Sequence, residues 1–390
     1  RAADAYAETI RMSRQSASAT GVTGITYRLT GLLRLLGRLR AAEAACREAL
    51  AYVEAQGMER LPAAGILHVA LSEVLVERNE LKAAEAELAQ GLELGKWSGR
   101  LDAVRNAAYT RSRMRQARGD LQGALAAVEE AESTLGEPPS PLAKGELLAL
   151  KARILVREGS LGQAARCVEE AARLAGWDRG LTGETVALAA SRVRVALGAP
   201  EEAVAELARS LAAAESSGRL GAALELRILR GLARARLSDL RGTEADLERA
   251  LALAAPEGYA RLFVEEGSPM QALLARWLAH AGPGPLRVYA LHLLSQFEAE
   301  PDVEPAAPES VIPSVDAMVR SEQSLVEPLS ERELEVLHLI ALGRTNPEIA
   351  EQLVVARGTV KAHAAHIYRK LDVTNRTEAV ARARQLGILL

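Results

Sequence analysis

One short marker returns along residues 1–255 and decides what this stretch can fold into. A small or polar residue or two followed by Leu occurs at Gly37-Arg38-Leu39, Asn79-Glu80-Leu81, Gly119-Asp120-Leu121, Gly159-Ser160-Leu161 and Ser238-Asp239-Leu240, and Gly198-Ala199-Pro200 fills the missing place. The interval is roughly forty residues, longer than the ~34 of the tetratricopeptide motif. After each marker comes an Ala-rich stretch, such as Ala41-Ala42-Glu43-Ala44-Ala45 or Ala124-Leu125-Ala126-Ala127-Val128. Small side chains there let neighbouring helices approach closely. A pair of helices of this length cannot bury its apolar face alone, so the units must stack on one another. The expected fold of 1–255 is a tetratricopeptide-like α-solenoid with lengthened helices.

Composition points the same way. The chain has 390 residues, too many for one ordinary core, and its 49% apolar but only 3% aromatic content suits close-packed helices rather than a sheet sandwich. After 255 the period breaks. Gly258-Tyr259-Ala260-Arg261-Leu262-Phe263 and Ala272-Leu273-Leu274-Ala275-Arg276-Trp277-Leu278 suggest that 256–299 is a helical cap closing the last apolar face of the solenoid. Residues 300–327 turn rich in Pro, Glu, Ser and Val, with Pro301, Pro305, Pro308 and Pro313, and are expected to be a flexible tether. No signal peptide and no bilayer-length apolar run is found, so a cytoplasmic location without membrane association is expected. Cys46 and Cys167 lie far apart and are expected to be reduced core residues. No clustered His or Cys suggests a metal, and no nucleophile–base or paired-carboxylate pattern suggests a reaction, so this stretch is expected to be neither cofactor-bound nor an enzyme.

Residues 328–390 carry the clearest functional signal, four short helices with marked stops. Ser330 and Glu333 have capping-box spacing before Leu334, Leu337, Ile340 and Ala341, and Gly343 supplies a left-handed stop. Asn346-Pro347 opens the second helix, whose inner face is Ile349, Ala350 and Leu353, and Val354-Val355-Ala356 turns into the third. On that third helix, 357–371, Val360, Ala364, Ile367 and Leu371 share one face. The opposite face holds Gly358, Lys361, Ala362, Ala365, His366 and Arg369, with no acid, and Arg357 and Lys370 add charge to the same helix. A helix apolar behind and small or basic in front can enter a major groove. His363 falls nearer the apolar face and is expected to be a buried or boundary histidine rather than a DNA contact or a metal ligand. Asn375 and Glu378 repeat the capping spacing for a fourth helix ending at Gly387. The whole is expected to be a helix-turn-helix domain.

The strings LSERELEVLHLIALG, TNPEIAEQL, TVKAHAAHIYRKLDV and NRTEAVARARQLGIL resemble the LuxR-type DNA-binding domain. The resemblance implies that Lys361 sits in the groove of double-stranded DNA, that Ala362 and Ala365 occupy base-reading places, and that the fourth helix pairs two copies. The expected DNA-binding set is Arg357, Thr359, Lys361, Ala362, Ala365, His366 and Arg369. Ala356 stands where the family usually has a capping Ser, a loss of roughly 0.5–2 kcal/mol. A solenoid followed by a tethered LuxR-type domain resembles the large ATP-dependent regulators of the maltose-operon-activator type. The chain opens on Arg1 and holds no GxxxxGK[ST] string, its one Gly-Lys pair, Gly95-Lys96, leading into Trp97. The nucleotide-hydrolysing module of such regulators is therefore expected upstream.

The resemblance implies a small-molecule or protein effector on the solenoid and contact with the transcription machinery. On the helix 101–118, Arg105, Tyr109 and Arg113 share a stripe that could hold an anionic ligand or acidic peptide on the concave surface. The other reading of that stripe is a helix face whose arginines pair with glutamates of neighbouring repeats. Trp97 and Trp177, near repeat ends, are expected to pack. The expectation as a whole is a transcriptional regulator; the alternative is a solenoid adaptor for protein partners with a weak, poorly specific DNA anchor.

Overall fold

The computed structural model describes residues 2–15, 18–95, 101–133, 135, 140–175, 181–298, 329–385 and 388–389. The expected tether at 300–327, Trp97, Trp177 and Gly387 lie outside them. All regular elements among the described residues are helices, and none of them is long and apolar enough to cross a membrane.

The first helix, α1 (Ala2–Gln15), is followed by six antiparallel pairs. These are α2 (Ala19–Leu35) with α3 (Leu39–Ala55), α4 (Pro62–Glu77) with α5 (Leu81–Gly95), and α6 (Leu101–Ala117) with α7 (Leu121–Ser133). Then come α8 (Pro141–Glu158) with α9 (Leu161–Ala175), α10 (Leu181–Ala196) with α11 (Pro200–Ser216), and α12 (Leu220–Arg236) with α13 (Leu240–Ala254). The recurring marker explains each hairpin. Its first residue adopts the left-handed conformation in all six cases: Gly37, Asn79, Gly119, Gly159, Gly198 and Ser238 have φ of 72°, 63°, 75°, 89°, 86° and 60°. The next amide then reaches back to the helix just ended, as Arg38 N to Leu33 O at 2.8 Å and Asp239 N to Arg234 O at 3.1 Å. That bond satisfies a carbonyl the helix would leave orphaned, and the marker's third residue starts the second helix.

The solenoid curls until its sixth hairpin meets its first. Gly221 on α12 lies so close to α2 that an added Cβ would stand 2.1 Å from the Arg34 carbonyl oxygen, and only glycine permits that approach. The expected cap, 256–299, does more than cover the last hairpin. It comprises α14 (Arg261–Val264), α15 (Ser268–His280) and α16 (Pro285–Glu298). It crosses to the first two hairpins. Ala260 N donates to Glu77 O at 2.8 Å, Tyr259 Oη to Arg34 O at 3.2 Å, and Arg261 Nη1 to Asn79 Oδ1 at 3.1 Å. Phe263 is fully buried in the resulting core.

A charged row runs where the cap meets the inner helices. Arg34, Glu73, Arg113, Arg153 and Arg192 stand 39 or 40 residues apart, the same place in five successive hairpins. Arg34 pairs with Glu73 and Glu77, and Arg113 with Glu77 at 2.5 Å and Glu265 at 3.2 Å. Arg153 pairs with Glu265, and Arg192 with Glu266 at 2.6 Å and Glu225 at 3.2 Å. Burial alone would raise the Glu265 carboxyl, but Arg153, Arg113 and Arg261 hold it far below the usual carboxylate range. Cys46 is buried and its thiol pushed up to about 12 by burial; it and Cys167 are both free.

Because the folded pKa of Glu265 lies below its unfolded value of about 4.3, its stabilisation is complete above that value and is lost as pH falls through the folded one. Glu265→Gln is expected to lower unfolding free energy at neutral pH by about 3–5 kcal/mol, since it strands buried guanidinium groups. Urea denaturation at neutral pH and at a series of lower values checks both parts, because the gap from the parent chain starts to narrow below about pH 4.3 and closes only below the folded value.

Candidate nucleic-acid interface

The C-terminal domain comprises α17 (Glu331–Ala341), α18 (Asn346–Gln352), α19 (Arg357–Leu371) and α20 (Arg376–Gln385). Its helix starts are capped as their spacing requires. Glu333 N donates to Ser330 Oγ at 3.3 Å while Ser330 N donates to Glu333 Oε2 at 2.7 Å, closing the capping box. In α18 the cap is Thr345, one residue ahead of the Asn346-Pro347 pair, and its amide donates to Glu348 Oε2 at 2.7 Å. Glu378 N donates to Asn375 Oδ1 at 2.9 Å at the start of α20. Ala356 at the head of α19 makes no side-chain cap bond.

The two faces of α19 separate as periodicity requires. Val360, Ala364, Ile367 and Leu371 are buried against α17 and α18, while Arg357, Gly358, Thr359, Lys361, Ala362, Ala365, His366 and Arg369 are exposed. His363 lies at the boundary. Lys370 differs from the rest of the helix's cations. Its Nζ donates to Glu333 Oε2 at 2.8 Å and it is largely buried, so it braces α19 on α17 instead of facing outward. Burial raises the Glu333 carboxyl, but hydrogen bonds from Lys370 and Ser330 outweigh it and hold the group below the usual range. Arg376 Nη2 donates to Ile340 O at 2.9 Å, locking α20 onto the end of α17. The geometry presents one convex, acid-free helix face of cations and short side chains, able to lie along a groove and reach phosphates with Arg and Lys.

The domain also sits on the solenoid, a contact its own sequence does not announce. Val336, Leu337, Leu339 and Ile340 share one apolar cluster with Ala19, Val53, Met58, Leu61 and Ala64 of the first two hairpins. Glu335 is buried at the N-terminus of α2 and accepts from Thr20 N at 3.0 Å, completing an amide that the helix start leaves free. His338 donates from Nε2 to the Gly57 carbonyl at 2.9 Å. The outward face of α19 stays exposed in this docked arrangement.

The solenoid stripe is placed differently from a free ligand surface. Arg113 is only 6% exposed and committed to Glu77 and Glu265, so a ligand there would have to displace both. Tyr109 packs partly against the cluster containing Ala108 and Leu147, and the Arg105 side chain lies outside the described residues. Arginines pairing with glutamates of neighbouring elements is the arrangement found at Arg113.

Comparison with known proteins matches residues 1–280 to the model described as MalT-like TPR region, and residues 327–383 to Bacterial regulatory proteins, luxR family. The HTH-type transcriptional regulator MalT of Vibrio cholerae is 35% identical over 149 residues, 36% of this chain and 16% of that protein. The transcriptional regulatory protein LiaR of Bacillus subtilis is 51% identical over 59 residues, 15% of this chain and 28% of LiaR. This chain thus spans well under two thirds of either relative's length. A solved structure of a Rap protein complexed with competence and sporulation factor aligns over 94% of this chain and 95% of its own, at 14% identity and a TM-score of 0.46.

Two outcomes test the geometry. Val354, between α18 and α19, has a φ of 51° although β-branched, and its side chain is 60% exposed. Val354→Gly is therefore expected to raise the domain's stability by about 1 kcal/mol, read by thermal unfolding, since no packing is lost and left-handed strain is relieved. The double variant Glu335→Gln, His338→Ala is expected to release the domain from the first hairpin; hydrogen exchange at the Thr20 amide should accelerate at least about tenfold, as loss of a charge-assisted bond implies.

Proposed function

The chain belongs to the MalT-like TPR family, and from that premise we propose that it acts as a DNA-binding transcriptional regulator through its luxR-family C-terminal domain. The observation that carries the reading is α19: one face sealed into the domain core, the other exposed, basic and free of acids. In this reading α19 lies in the major groove of double-stranded DNA. Lys361 reaches base edges or phosphates, Arg357 and Thr359 approach phosphates at the helix start, and His366 and Arg369 follow the groove edge. Ala362 and Ala365 give close approach and methyl contacts rather than hydrogen bonds. The exposed side of α20 would pair two copies on a two-fold site, and the solenoid would receive an effector and alter how the domain is presented to DNA and to the transcription machinery. A cytoplasmic place follows from that role.

The uncapped Ala356 and the two exposed alanines favour one other reading, a solenoid adaptor whose terminal domain only anchors it to DNA. Selection from a random DNA pool at physiological salt, with the parent chain and Lys361→Ala, separates the two. Regulation through α19 predicts a recurrent site, bound by the variant about five- to a hundredfold more weakly, as loss of one base-reading side chain implies. Steep salt dependence with no enriched site would instead mark the anchor.

A further inference from the structure

Between the last three hairpins and the cap lies a cavity of about 530 Å³, large enough for a small organic molecule. Its walls follow from the repeat. Arg153, Arg192 and Leu232 stand 39 and 40 residues apart, as do Val156, Val195 and Ala235, and Arg157, Ala196 and Arg236. Equivalent places on α8, α10 and α12 therefore stack as three layers along one side, and residues 265–269 with Ala272, Leu273 and Arg276 of the cap form the other.

The layers differ chemically. In the deepest, Arg153 and Arg192 are tied to Glu265, Glu266 and Glu225, so charge there is balanced. The middle layer, with Leu229 and Leu273 beside it, is apolar. In the outer layer Arg157 and Arg236 are exposed, in the last turns of α8 and α12, and neither meets a carboxylate among the described residues. Arg157 makes one bond, to the Gln116 carbonyl at 3.2 Å. Arg276, also on the wall, has only Glu244 at 3.8 Å and its Nη2 makes no hydrogen bond. The start of α15, at Gly267 and Ser268, adds the positive end of a helix dipole. An apolar chamber with three under-matched guanidinium groups selects a ligand with an apolar body and an anionic head.

We propose that this cavity binds a small amphipathic organic anion, its body against Val156, Val195, Leu232 and Leu273 and its carboxylate or phosphate at Arg157, Arg236 and Arg276. The site is separate from the Arg105–Arg113 stripe. It deepens the sensing role proposed for the solenoid and rests on that role for its biological use. Binding itself is independent of DNA, so failure here and failure of the DNA reading are seen in different experiments.

Calorimetric titration of the whole chain, without DNA, against decanoate, decyl phosphate, decanol and decyltrimethylammonium below their micelle concentrations tests it. One anion per chain is expected to bind, with decanol and the cation at least about tenfold weaker; the better of decanoate and decyl phosphate identifies the head group. Arg157→Gln combined with Arg236→Gln, both on exposed side chains, should weaken the anion about a hundredfold, and Ala196→Trp, which fills the outer layer, should abolish binding. Binding of none of the four, equal binding of decanol and decanoate, or undiminished anion binding by either variant would overturn the proposal.

Discussion

The Glu265 carboxylate is the point at which the solenoid is tied. It is ion-paired with the guanidinium groups of Arg113 on α6 and Arg153 on α8 and stands beside Arg261 of the short helix it caps, all within a water-poor interior. A carboxylate removed from water must be compensated by partners in good geometry, and each of those arginines carries the same requirement. The requirement can be met only when the cap lies inside the curl and the inner helices hold one pitch. Gly221 is the steric counterpart of that constraint, since the curl closes only where α12 can touch the Arg34 backbone. The row Arg34, Glu73, Arg113, Arg153, Arg192 thus sets the shape of the superhelix, while the alanine-rich contacts between hairpins supply its burial.

The same cap reaches two places at once. It lines the cavity beside α8, α10 and α12, it grips α2 and α4 through Tyr259 and Ala260, and those first hairpins carry the DNA-binding domain. The domain is joined to them by an apolar cluster and by two polar contacts that need partners, Glu335 to Thr20 and His338 to Gly57. What the docking leaves open is the outward face of α19 together with much of α20. Docking therefore fixes how the domain is held without covering the surface that would meet DNA.

Much of this was legible in the residues. The markers foretold every hairpin because each begins with a residue that can end a helix in the left-handed conformation, and that is a local property. The buried and exposed faces of α19 followed from a period of 3.6. The capping pairs Ser330 with Glu333 and Asn375 with Glu378 also formed as spaced. Lys370 went differently because its partner, Glu333, lies on another helix and cannot be seen from the charge of one face. Arg113 stood out in the sequence as a stripe residue, yet its equivalents Arg153 and Arg192 carried the useful signal, a cation recurring with the repeat itself.

Taken alone, the sequence determined what depends on neighbours within a few residues: helix lengths, turn positions, caps, the solenoid class and the division of α19 into a buried apolar face and an exposed basic one. Tertiary structure alone decided that the cap folds into the curl, that Arg113 meets Glu265 from 152 residues away, and that Glu335 meets Thr20 from 315 away. Such pairings have no local periodicity to announce them. They depend on the accumulated small rotation of one hairpin on the next, a quantity set by packing across every interface together.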